Sequence, residues 1–262
     1  MLEKRWTIMK NAALVLEGGA TRGVFTTGVL DCLMEKNLYL SHVIGVSMGA
    51  CNAISYVSRQ KGRTKNCLIH ESNSDYDFYY MGAGTERKMK LMLPQLLKNR
   101  QVLCNACDEG KVLLFTGNAC DVLGKSITDA EGLRHEALGI GSFETREEKT
   151  RINGDCIACF DGVQEELVGF INKCSWNTGV DTPLVSLRLG KGNEKDKPWD
   201  GFRRNNCLGT HLTGPLLAKN PAMLRYIAAL ITKEAVPLDI VSPFMIHGYE
   251  VTKRELLKRL EA

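Results

Sequence analysis

Asn11-Ala12-Ala13-Leu14-Val15-Leu16-Glu17-Gly18-Gly19 and His42-Val43-Ile44-Gly45-Val46-Ser47-Met48-Gly49 decide the fold. Each is a short apolar run that closes on glycine, the signature of a buried strand entering a tight loop. After the first, Phe25, Val29, Leu30, Leu33 and Met34 recur at helical spacing. After the second, Ala50–Arg59 reads as another helix. Strand, helix, strand, helix is the opening of a parallel α/β sheet.

Working outward, residues 60–75 are polar and turn-rich and mark a candidate boundary. Tyr76–Met81 reads as an aromatic strand closed by Gly82-Ala83-Gly84. Met89, Met92, Leu93, Leu96 and Leu97 form a helical stripe in which Pro94 predicts a kink. Lys111–Thr116 reads as a strand with Gly117-Asn118-Ala119 as the turn after it. Cys156–Phe160, Leu167–Ile171 and Leu184–Leu189 read as short strands, and Lys191–Trp199 as a charged loop. Near the end, Asn220 is placed to cap a helix with Pro221 at its first position and Met223, Leu224, Ile227, Leu230 and Ile231 on one face. Thr252-Lys253-Arg254-Glu255 reads as a capping box opening a short terminal helix. The expected fold is a three-layer α/β/α arrangement with a mainly parallel, Rossmann-like sheet and a strand-rich excursion in its middle.

Composition narrows the function classes. The 262 residues are 44% hydrophobic and 24% charged, which excludes a disordered or fibrous chain. A net charge of +4 does not argue for nucleic acid. No apolar run approaches the roughly 18 residues of a membrane span. Glu3, Lys4, Arg5 and Glu17 keep the opening residues from reading as a signal peptide. Ten cysteines, mostly in apolar segments, read as free thiols of a cytoplasmic protein. The pairs Cys104/Cys107 and Cys156/Cys159 are too far apart for a zinc ribbon, and the second lies in an expected strand, where positions three apart face opposite sides. The five histidines are scattered, so neither metal nor cofactor is expected.

Gly45-Val46-Ser47-Met48-Gly49 has the strand-before, helix-after context of a nucleophile elbow. The turn is so sharp that side chains flanking the serine would collide. Gly18-Gly19-Ala20-Thr21-Arg22-Gly23 follows the preceding strand, and its backbone N–H groups could face a developing oxyanion. An ordinary pair of βα turns, or a phosphate cradle, would also fit this pattern.

Residues 11–70 resemble the N-terminal part of bacterial patatin-like phospholipases, over Asn11–Gly19, Arg22-Gly23 and Val43–Asn52. The resemblance implies that Gly18, Gly19, Arg22 and Gly23 form an oxyanion hole and that Ser47 attacks the carbonyl of an acyl ester or lipid. The family's base is an aspartate in an Asp-Gly turn after a late strand. Asp161, in Phe160-Asp161-Gly162-Val163, is the candidate, although valine replaces the family's small third residue.

From Asp75 onward the chain is similar instead to the class I glutamine amidotransferase subunit of lipid II isoglutaminyl synthase. The matching stretches are Asp75–Phe78 with Gly82–Gly84, Leu123–Ser126, Leu167–Phe170 and Gly209-Thr210-His211-Leu212-Thr213-Gly214-Pro215-Leu216-Leu217. The resemblance places the family's nucleophilic cysteine on Gly117, its histidine on Thr213 and a glutamine-handling arginine on Arg151. Cys120 and His211 are the nearby residues that could replace the missing pair. That family works beside a Mur-ligase-like subunit, which the resemblance implies as a partner.

The expected organisation is a patatin-like segment over 1–70 and an amidotransferase-like segment over 75–262, packed as one domain. The leading expectation is a serine acyl hydrolase acting through Ser47. The alternative is an amidotransferase subunit or an inactive homologue of one. A third reading is a non-catalytic interaction module, or a rearranged chain joining two families near residue 71.

Overall fold

The computed structural model describes residues 7–17, 23–46, 48–65, 76–236 and 240–261. The chain divides into two compact units, Met1–Ser74 and Asp75–Ala262.

In the first unit β1 (Thr7–Leu16) pairs in parallel with β2 (Leu38–Gly45), and α1 (Val24–Glu35) and α2 (Met48–Val57) follow the two strands. Leu30 and Met34 of α1 and Tyr56 of α2 pack with Leu16 and Tyr39 as a small core. The Tyr56 hydroxyl donates to the Leu38 carbonyl (2.9 Å) and accepts from the Leu40 N–H (3.0 Å), so a buried aromatic fixes the start of β2. Val15 and Ile44 are register partners, share one face of this two-stranded sheet and are 72% and 59% exposed.

The second unit has two sheets. In the four-stranded one, β3 (Phe78–Met81), β4 (Val112–Thr116) and β12 (Cys207–Thr210) are parallel, and β11 (Phe202–Arg204) is the antiparallel edge. Every residue of β4 is buried. Leu113 and Phe115 face one apolar cluster that includes Met89 and Leu93 of α3 (Glu86–Lys98) and Leu103, Ala106 and Cys107 of α4 (Arg100–Asp108). Val112 and Leu114 face another, with Met223 and Ile227 of α6 (Pro221–Thr232) and Cys156, Ala158, Leu167 and Ile171 of the second sheet. A strand buried on both faces reads as a continuous apolar run. Each such leucine contributes about 1.5–3 kcal/mol.

The second sheet is mixed. It holds β5 (Ser126–Thr128), β6 (Arg134–Glu136), β7 (Glu144–Cys159), β8 (Leu167–Thr178), β9 (Val185–Leu189), β10 (Trp199–Asp200) and β13 (Leu212–Thr213). Only β5 and β7 run parallel; the other pairs are antiparallel. The chain is thus mixed α/β. Its parallel register lies in β1–β2, β3–β4–β12 and β5–β7, and its middle is the strand-rich part. A bulge between Glu147 and Ile152 interrupts the β7–β8 ladder and carries Arg151. Cys156 is buried and Cys159 exposed, on opposite faces of β7.

Pro94 sits inside α3, which runs on to Lys98. Two local expectations change. Asn220 holds the N-cap position of α6, but its side chain makes no cap hydrogen bond there. Its Oδ1 accepts from the Val168 N–H (2.7 Å) and its Nδ2 donates to the carbonyls of Val168 (2.9 Å) and Leu216 (2.8 Å), so it serves as a backbone surrogate beside β8. Thr252 lies within α7 (Pro243–Glu261), following the four-residue α5 (Leu216–Lys219) and α6, and its hydroxyl bonds back to the Gly248 carbonyl (2.8 Å). Among the described residues no helix is long and apolar enough to cross a membrane.

Candidate functional site

Two strand-to-helix elbows carry the candidate residues, one in each unit. In the first unit Ser47, Gly18, Gly19 and Arg22 lie outside the described residues; the frame around them does not. β2 ends at Gly45 and α2 begins at Met48. The Val46 N–H bonds to the Leu16 carbonyl (3.0 Å), and the Gly49 N–H to the Val46 carbonyl (2.9 Å). A Cβ on Gly45 would stand 2.5 Å from the Gly49 carbonyl oxygen, and one on Gly49 would strike the Leu16 carbonyl. Both clashes are with backbone, which has little freedom to retreat, so glycine is required at both positions. Gly23 packs against Met48, and its carbonyl accepts from Asn52 Nδ2 (3.0 Å). The start of α1 and the start of α2 therefore meet.

Asp161 belongs to the second unit, in the turn after β7. Its carboxylate is exposed and pairs with Arg203 Nη1 at 2.8 Å. Arg203 also lies over the Phe160 ring, 5.5 Å from its centroid.

The elbow of the second unit is fully described. Gly117 follows β4 at φ +63° and opens a 3-10 helix, Gly117–Leu123. This is the left-handed backbone that a nucleophile elbow uses, and glycine adopts it without strain. Asn118 clamps the Gly82–Gly84 loop beside it: Gly84 N–H donates to Asn118 Oδ1 and Asn118 Nδ2 donates to the Gly84 carbonyl, both at 3.0 Å. A Cβ on Gly117 would lie 2.5 Å from Ala83 Cβ and 3.0 Å from Thr213 Cγ2. The fold thus brings positions 117 and 213 together, with Ala83 filling the space a side chain at 117 would need. The Thr213 hydroxyl is committed to the Phe170 carbonyl (2.8 Å).

Arg151 stands near this elbow. Its guanidinium bonds Asn172 Oδ1 (2.9 Å) and Glu86 Oε1 (2.8 Å). Asn172 is two residues along β8 from Phe170, the register partner of Thr213, and Glu86 begins α3 just after the Ala83 loop. Burial opposes ionisation of Glu86, but its own backbone N–H and Arg151 outweigh it and hold the carboxyl below its usual range. Burial, together with the Glu86 charge, pushes the neighbouring Cys174 thiol up to about 12.

Cys120 and His211 are completely buried. His211 Nδ1 meets Asp200 Oδ1 at 2.6 Å and Nε2 meets Asp121 Oδ1 at 3.0 Å. Ser175 donates to Asp121 (2.7 Å), and the Thr210 hydroxyl and His211 N–H donate to Asp200 (2.7 and 2.8 Å). Buried Lys173 donates to the Gly192 carbonyl (2.5 Å). Burial disfavours the Asp200 anion, yet His211, Lys173 and Thr210 together hold its carboxyl down at about 2. Burial and Lys173 oppose the imidazolium, but the two aspartates prevail and raise the His211 pKa. Burial lowers the Lys173 pKa against the pull of Asp200 and Asp121, so each charge in this buried group depends on its neighbours. Burial, with both carboxylates nearby, pushes the Cys120 thiol far up, so it is a protonated, enclosed thiol.

Sequence reasoning missed Ala83, Asp121, Lys173 and Asp200. None carries a motif. Lys173 sits in the inward row of β8 (Ile171, Lys173, Ser175, Asn177), where alternation alone predicts apolar residues.

The comparisons agree with both resemblances. Residues 14–117 match the patatin-like phospholipase family, a stretch that starts in β1, crosses into the second unit and ends at Gly117. A curated relative is the GatD subunit of the glutamine-hydrolysing lipid II isoglutaminyl synthase of Staphylococcus aureus (strain N315). It is 27% identical over 196 residues, covering 72% of this chain and 80% of the relative. Among solved structures, a glutamine amidotransferase from Thermotoga maritima superimposes with a TM-score of 0.39 at 12% identity, over 96% of this chain and 99% of that one. A superposition that loose fixes neither fold nor function.

Proposed function

We propose that the Asp75–Ala262 unit is an amidotransferase-type scaffold that does not hydrolyse glutamine. One observation carries this reading: position 117 keeps the left-handed elbow backbone, but it is glycine, and Ala83 and Thr213 occupy the space of the absent side chain. Covalent glutamine hydrolysis needs a thiolate and a base within reach of it. Gly117 offers no nucleophile, and Thr213 offers a hydroxyl already bonded to Phe170. Cys120 and His211 are enclosed, and His211 is tied into the carboxylate network, where no substrate amide reaches them. The unit then serves by binding, as the partner of a Mur-ligase-like subunit in a cytoplasmic assembly. Ammonia release from glutamine, followed by a coupled assay, is expected to stay at the blank. Release that Cys120→Ser abolishes would overturn the reading.

A second activity is proposed for the first unit: acyl-ester hydrolysis with Ser47 as nucleophile and Gly18, Gly19, Arg22 and Gly23 as the oxyanion-binding loop. The glycine requirement at Gly45 and Gly49 and the meeting of the starts of α1 and α2 support it. A fluorophosphonate probe is expected to label the protein and to spare Ser47→Ala; labelling that survives the substitution would sink this assignment.

A further inference from the structure

We propose that Cys107 and Cys207 form an oxidation site, a thiol pair that a peroxide converts into a disulfide stapling the end of α4 to the β11–β12 hairpin. Neither elbow uses these residues, and both are completely buried in one apolar cluster.

The geometry comes first. The Cys107 thiol donates to the Arg204 carbonyl at 3.6 Å, and Arg204 is the register partner of Cys207 across the hairpin. Cys107 therefore sits over the backbone pair that carries Cys207. Both side chains enter the same buried cluster, on the face of the hairpin that meets α4. Three further contacts hold the same end of the helix: Asn205 Nδ2 to the Cys107 carbonyl (3.0 Å), Asn206 Nδ2 to the Gly110 carbonyl (2.7 Å) and Arg204 to Asp108 (2.6 Å). Preorganised thiols need little motion to join.

The two sulfurs are unequal. The hydrogen bond from Cys207 stabilises a thiolate at Cys107, and Arg204 adds to this against burial, so the Cys107 pKa falls. The same bond, together with burial, pushes Cys207 up. An acidified attacker beside a protonated resolving thiol is the division of labour that peroxide chemistry uses. The Cys107 thiolate attacks one peroxide oxygen, the O–O bond breaks, and a sulfenic acid and one water result. The Cys207 sulfur then displaces that hydroxyl as a second water, forming the S–S bond. Two thiols lose two electrons and two protons, and one hydrogen peroxide becomes two waters. Access comes from opening of the last turn of α4, whose outer cover is the half-exposed Arg204–Asp108 pair. Cys104, one turn earlier and partly exposed, is the competing partner.

The test uses the full chain, treated with hydrogen peroxide, unfolded in a thiol-alkylating agent and mapped by mass spectrometry. The expected result is a Cys107–Cys207 linked peptide, with Cys104 alkylated. The bridge closes a loop of about 100 residues and is expected to raise the Tm by about 5–15 °C, reversibly with dithiothreitol. Cys207→Ala should leave Cys107 as a sulfenic acid trapped by dimedone. If that variant fails to fold, the wild-type map still decides. Both thiols alkylated after peroxide, a Cys104–Cys107 link, or Cys107 driven to sulfinic acid with Cys207 free would each overturn the proposal.

Discussion

The two strand-to-helix turns are supported differently. Around the first, glycines are enforced by backbone collisions at Gly45 and Gly49, and the sequence keeps a serine at the apex. Around the second, the apex keeps its left-handed backbone while the reactive side chain is gone. The strand leading to the first has an exposed apolar residue (Ile44 is 59% exposed), whereas the strand leading to the second is buried throughout. Beneath the second lies a charge network that ties the 3-10 helix to β12, β10 and β8. The backbone form of an elbow therefore persists through packing and buried charge alone, and the chemistry is a separate property of a few side chains.

That contrast can be broken most forcefully at the network. Asp200→Ala leaves the His211 imidazolium and the Lys173 ammonium short of a counter-charge, and a loss of about 3–5 kcal/mol is expected. The measurement is urea unfolding. An unchanged midpoint would mean that the charges do not hold the second elbow.

Position 117 sharpens the contrast next. Gly117→Cys alone is expected to cost about 1–3 kcal/mol, because its Cβ meets Ala83 and Thr213, and to release no ammonia. Ala83→Gly with Gly117→Cys and Thr213→His removes the obstruction and supplies both groups. Glutaminase activity is expected only in the triple variant, and activity in Gly117→Cys alone would show that Ala83 is no obstacle.

The network also has a pH signature. The His211 pKa is raised on folding, so its stabilisation is complete below the unfolded value of about 6.5 and is lost as pH climbs through the folded one. Asp200 is depressed to about 2, so its contribution is present above about 4 and disappears as pH falls toward the folded value. Unfolding midpoints across the alkaline range should decline in wild type and decline less in His211→Gln, compared with each protein's own value near pH 6.

The smallest effect is expected at Asp161→Asn. An exposed pair with Arg203 contributes about 0–1 kcal/mol, so the midpoint should barely move. Urea unfolding checks this, and a loss above about 1 kcal/mol would show that the pair carries more than an exposed ion pair should.

Much of this was legible in the sequence. β1, α1, β2 and α2, the buried strand before Gly117 and the apolar face of α6 all follow from hydrophobic periods within a few residues. So do the glycine-framed apex at Ser47 and the vacancy at Gly117, since each is a matter of residue type at one position. The charged half of β7, Glu144–Arg151, was not legible, because a ladder with β8 supplies the partners its own pattern does not announce. The roles of Asn220 and Thr252 differed for a related reason: a side chain bonds the nearest unpaired backbone group in space, not the one a local motif suggests.

The sequence by itself determined which reactive groups this protein has and which it lacks. Ser47 is present, and neither cysteine at 117 nor histidine at 213 is. Only the tertiary structure decided that Ala83 fills the vacancy, that Cys120 and His211 are sealed away, and that Asp121, Asp200 and Lys173 balance one another. Side-chain identity is local, but burial and charge compensation are sums over neighbours that the chain brings together from distant positions.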